Sequence, residues 1–78
     1  MNQAEFKLRG EHIALCDLLK LAGVTDSGGQ GKVLIASGEV SVDGGQELRK
    51  TAKIRAGQVV RCADWEIRVK SSDQPGDS

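Results

Sequence analysis

SGGQGKVLIASGEVSVDG, running from Ser27 to Gly44, reads as a short helix, a stop, a short strand and a tight turn. Ser27 with Gln30 three positions later fits a capping box, in which each side chain satisfies an unpaired amide at the helix start. Leu34 and Ile35 follow as the buried side, and Gly38 supplies the left-handed residue that ends helices. Val40 and Val42 alternate with Glu39 and Ser41, the period of a half-buried strand. Asp43-Gly44 then predicts a hairpin turn, whose two central residues both need positive φ.

Upstream, Glu11 to Ala22 has helical spacing, with Leu15, Leu18, Leu19 and Ala22 on one stripe flanked by Ile13 and Cys16. Gly23 closes it. A short connection to the second helix folds the two back as neighbours, Leu15, Leu18 and Leu19 facing Leu34 and Ile35. Gly31 inside the second helix permits close packing. Gly28 and Gly29 are open to two readings, as loop extension or as bare amides for a phosphate oxygen. Before the first helix, the alternation in EFKLRG (Glu5–Gly10) predicts an edge strand. After the turn, Val59, Val60, Ile67 and Val69 mark two strands joined at Ala63-Asp64. Ile54 is expected in the core, Gly57 in a turn, and Trp65 at an edge of the core. The expected fold is α+β, two packed helices beside a small antiparallel sheet. Residues 1–70 form one domain, and the apolar-free tail 71–78 is expected to be disordered.

Seventy-eight residues is close to the lower limit for a self-sufficient core and leaves little room for a deep catalytic pocket. One Phe, one Trp and no Tyr argue against single-strand recognition by stacking. Cys16 and Cys62 have no motif spacing, and no signal peptide is read, so a reduced cytoplasmic chain is expected. No apolar run approaches the roughly 20 residues that span a bilayer.

Net charge is zero, yet charge is uneven. Between Gln46 and Arg61, Arg49, Lys50, Lys53, Arg55 and Arg61 stand against one acid, Glu47. Lys32, on the second helix, is expected near this segment. Patches of this kind are ordinary on a solvated surface, so charge alone decides nothing. Other chemistries fit poorly. His12 and Cys16 are four apart, but with a single His the spacing is nonspecific for a metal. A thiol on an apolar helix face has a raised pKa and is a poor nucleophile. GGQGK lacks the first Gly and the Ser/Thr of a P-loop, having Asp26 and Val33 there. No metal, cofactor or catalytic residue is expected.

The passage from Ser27 to Gly44 resembles the signature of the S4-type RNA-binding domain, or alpha-L motif. The matching positions are Ser27, Gln30, Lys32, Leu34, Ile35, Gly38, Val40, Val42, Asp43 and Gly44. CDLLKL at Cys16–Leu21 and the Arg49-Lys50 pair resemble the small stand-alone YbcJ-type bacterial proteins. Gly28 and Val33 stand where the wider family often has basic residues, and Gly57-Gln58 replaces its usual Gly-Asp. This shifts the expected charge toward the later segment.

The resemblance implies a non-catalytic cytoplasmic monomer that binds structured RNA, ribosomal RNA or another stem-loop. Lys32, Arg49, Lys50, Lys53 and Arg55 would contact phosphates, with Gln30 and the Gly28 and Gly29 amides as polar partners. Recognition would rest on shape, phosphate and 2′-hydroxyl contacts, because A-form RNA hides its major groove. The alternative is a protein-interaction module docking an acidic partner in ribosome or RNA-processing assemblies.

Overall fold

Apolar residues at every second position of the terminal segments, and at helical spacing between them, give one shared core. The computed structural model describes residues 2–71. The elements are β1 (Asn2–Leu8), β2 (Ile13–Ala14), α1 (Leu15–Leu21), α2 (Gly28–Ala36), β3 (Val40–Val42), β4 (Gly45–Gln46), β5 (Lys53–Ile54), β6 (Val59–Cys62) and β7 (Trp65–Ser71). Five strands form a sheet in the order β1-β7-β6-β3-β4, and β2 pairs with β5 in a separate two-stranded ribbon. The α+β class is as expected. The sheet is mixed, because the edge strand β1 runs parallel to β7 while the other pairings are antiparallel.

One face of the sheet carries the core. Leu8, Val40, Val60, Cys62, Ile67 and Val69 meet Leu15, Leu18, Leu19 and Ile35 from the helices, with Ile54 beneath them. Each such burial is worth roughly 1.5–3 kcal/mol, so this cluster carries most of the stability of so small a domain. The opposite face is polar. Glu66, only 8% exposed, sits there among Gln3, Arg61 and Arg68. Trp65 is half-buried at the start of β7, opposite buried Cys62.

Helix α1 begins later than its apolar spacing predicts. Ile13 and Ala14 are extended and pair with Ile54 and Lys53, leaving Glu11 and His12 exposed ahead of the helix. His12 and Cys16 therefore do not share a helical turn. The N-cap position is Ala14, which offers no side-chain acceptor; the Leu15 and Cys16 amides donate instead to the carbonyls of Ala52 (2.9 Å) and Lys50 (3.1 Å). A distant loop thus replaces the local cap. The helix ends in a Schellman motif, with Gly23 N–H on the Lys20 carbonyl and Val24 N–H on the Leu19 carbonyl.

Strand β7 extends to Ser71, opposite Leu8, one residue past the expected domain boundary. The rest of the expected tail, 72–78, lies outside the described residues.

Candidate nucleic-acid interface

Ser27 caps α2 as its position predicts, its Oγ accepting the Gln30 amide at 3.2 Å. The reciprocal bond moves back one residue: Gln30 Oε1 accepts the Asp26 amide at 2.9 Å. The helical ladder opens with the Gly31 N–H on the Ser27 carbonyl, so Gly28 and Gly29 lie inside the first turn and do not extend the loop. Their amides stand ahead of the ladder, at the positive end of the helix dipole. Gln30 Oε1 accepts the Asp26 N–H, and Nε2 carries the side chain's two donors.

Gly31 is the packing contact. A Cβ there would lie 3.1 Å from the Cys16 carbonyl oxygen. Cys16 is therefore a junction, with α2 against its carbonyl and the Lys50 carbonyl on its N–H. This places the backbones of Lys32 and Lys50 beside the start of α1, and the ribbon adds Lys53 opposite Ala14. Lys32, Lys50 and Lys53 are all exposed.

Arg49 and Lys53 line one depression of about 390 Å³, together with Thr51 and Ala52. Arg49 is held by Glu47, whose Oε2 accepts the Arg49 backbone N–H at 3.0 Å and its Nε–H at 3.2 Å. These bonds, the backbone one first, keep the Glu47 carboxyl below its ordinary pKa and so ionised. From the sequence alone Glu47 is only an acid that offsets the local charge. Its place two residues before an Arg was the available signal.

Two of the basic residues in this segment fall elsewhere. Arg55 sits on a turn where its N–H meets Gln58 Oε1 (2.7 Å), and Gln58 Nε2 in turn reaches Asp43 Oδ2 (3.1 Å). These bonds tie the Arg55 backbone, through Gln58, to the Asp43-Gly44 hairpin. Arg61 lies on the polar sheet face, its guanidinium 3.8 Å from Glu66. The charge surplus of the segment is thus divided between two faces.

Asp43 and Gly44 both have positive φ, 52° and 87°, as the hairpin turn requires. Asp43 Oδ1 also accepts the Val59 amide at 3.0 Å, tying the turn to β6. That bond, then Gln58, lowers the Asp43 pKa.

A second concavity of about 580 Å³ runs along the outer side of α2, past Ser27, Gln30 and Val33, which is 71% exposed. The cysteines are free and buried, and burial, with a contribution from Glu39, pushes the Cys62 thiol up to about 11. Among the described residues no group of three His, Cys, Asp or Glu is placed to hold a metal. Among the described residues no helix is long and apolar enough to cross a membrane.

Comparison with known proteins places this geometry. The Escherichia coli (strain K12) protein YbcJ, named as a candidate RNA-binding protein, is 53% identical over 58 residues, covering 74% of this chain and 83% of its own. The uncharacterized YbcJ of Shigella flexneri matches to the same extent, 53% over 58 residues. The solution structure of E. coli YbcJ, described as revealing an αL motif involved in RNA-binding, is similar with a TM-score of 0.72 and 49% identity over 91% of each chain. The S4 domain model matches residues 6–70, nearly the whole described fold, and the chain belongs to that family.

Proposed function

We propose that this protein binds structured RNA without catalysis, through a basic face around the start of α1. The observation that carries the reading is the Cys16 junction. There α2 next to Lys32 packs on Cys16, whose N–H meets the Lys50 carbonyl, while the ribbon pairs Lys53 with Ala14, and Arg49 and Lys53 line a depression; this supports a shared basic face. The printed descriptions of YbcJ, which name RNA-binding, support the same partner.

In this reading Lys32, Arg49, Lys50 and Lys53 take phosphates, with Gln30 Nε2 and the Gly28 and Gly29 amides as neutral donors at the α2 end. Arg55 contributes at the margin. The protein acts as a cytoplasmic monomer, and sequence preference is modest because phosphate and 2′-hydroxyl contacts carry little sequence information.

A protein partner is the second reading: the exposed Val33 on the α2 groove offers it an apolar contact, and the exposed lysines would take its acidic groups. A salt series separates the two. Each phosphate contact releases counterion, so log affinity for a structured RNA should fall with log salt at about −0.7 to −0.9 per contact. Three to four contacts give a slope of about −2 to −4. A slope near zero, or no binding to a stem-loop RNA at low salt, would refute the RNA reading.

A further inference from the structure

We propose that Glu47 is a positioning residue for RNA, setting the direction of Arg49; this rests on the RNA-binding reading above. One carboxylate oxygen, Oε2, takes two donors of the same residue, the Arg49 backbone N–H at 3.0 Å and Nε–H at 3.2 Å. The clamp is itself anchored, because the Glu47 N–H donates to the Val40 carbonyl at 3.0 Å at the start of β3. Next to it, Gln46 Nε2 donates to the Gly38 carbonyl at 2.9 Å, tying the same loop to the end of α2. The partners differ sharply in exposure, 21% for the Glu47 side chain against 82% for Arg49.

A guanidinium presents its donors in a rigid planar fork. With Nε engaged by Glu47, the two terminal nitrogens remain as the edge that takes a phosphate bidentately. A free Arg side chain loses rotamer entropy on binding, and one already held loses less. Glu47 thus gives up favourable charge in exchange for orientation. An exposed ion pair contributes little to folding, so this pair has little purpose as a stability element.

The sign of the effect makes the inference testable. By charge alone, removing a carboxylate beside a polyanion strengthens binding. By positioning, it weakens binding. The experiment measures affinity for a fluorescein-labelled RNA stem-loop in wild type, Glu47→Ala, Glu47→Gln, Arg49→Ala and the double variant Glu47→Ala/Arg49→Ala, with thermal melts to verify folding. The expected result is a loss of about three- to tenfold for Glu47→Ala. Glu47→Gln should recover part of it, because its neutral oxygen still accepts from Arg49. In the Arg49→Ala background, Glu47→Ala should cause no further loss. Equal or tighter binding by Glu47→Ala, with Arg49→Ala still weakened, overturns the positioning role and leaves the RNA interface standing. If Arg49→Ala binds like wild type, the inference falls together with Arg49's place in the interface.

Discussion

Gly31 lies so close to Cys16 that a single added carbon would press on the Cys16 carbonyl oxygen at 3.1 Å. Helix propensity alone predicts that Ala in place of an interior Gly stabilises by about 1 kcal/mol. At this position the gain is cancelled, because the obstacle is backbone and Cys16 is tethered on its other side to Lys50. Gly31→Ala should therefore melt at or below the wild-type temperature. Gly29→Ala has room, its nearest neighbour being Ser27 Oγ at 3.8 Å, and should gain a few tenths of a kcal/mol. Thermal melts of the two variants give the answer. Equal stabilisation by both would show that the helices are not in tight contact at Gly31.

Leu18 is fully buried between the helices and the sheet. Leu18→Ala should cost about 2–5 kcal/mol. For a domain of several kcal/mol total stability, that leaves a large unfolded fraction at room temperature. Urea denaturation measures it, and a cost under about 1 kcal/mol would contradict the core described above.

Asp43 supplies a pH dependence. Its pKa is depressed in the folded state by the Val59 amide and then by Gln58. A depressed carboxyl contributes stability that is present above its unfolded pKa and lost as pH falls through the folded one. The acid limb of the stability curve, below about pH 4, should therefore flatten in Asp43→Asn. Asn tolerates the positive φ and keeps an oxygen for the Val59 amide but lacks the charge, so it should be less stable than wild type at pH 7, and the two should converge as pH falls. Melting temperatures from pH 2 to 7 test this, and an unchanged acid limb would contradict it.

Much of this was legible in the sequence because its causes are local. Ser27, Gly38 and Asp43-Gly44 act within a few residues of themselves, and each does what its chemistry predicts. The start of α1 was not legible. Apolar spacing continues back to Ile13, but the donors at Leu15 and Cys16 are satisfied by the carbonyls of Ala52 and Lys50, far along the chain. The parallel pairing of β1 with β7 is similarly nonlocal, since it joins the two ends of the described chain. Residue type also predicts Lys32, Lys50 and Lys53 at the surface, where they are exposed. It could not separate Arg61, which strand alternation sends to the face that holds Glu66. Nor could counting charges show that Glu47 grips Arg49.

The most direct test of the central claim replaces Arg49 and Lys50 together with Ala and measures affinity for a structured RNA across a salt series. The control replaces Lys7 and Lys70 with Ala, removing equal charge from the polar face of the sheet, where Lys70 pairs with exposed Glu5 at 2.9 Å. Both pairs are exposed, so both variants should stay folded. Loss of Arg49 and Lys50 should weaken binding and flatten the salt slope by about one to two units, while the control leaves the slope nearly unchanged. Equal weakening by the two double variants would contradict the account, reducing the face around Cys16 to nonspecific charge.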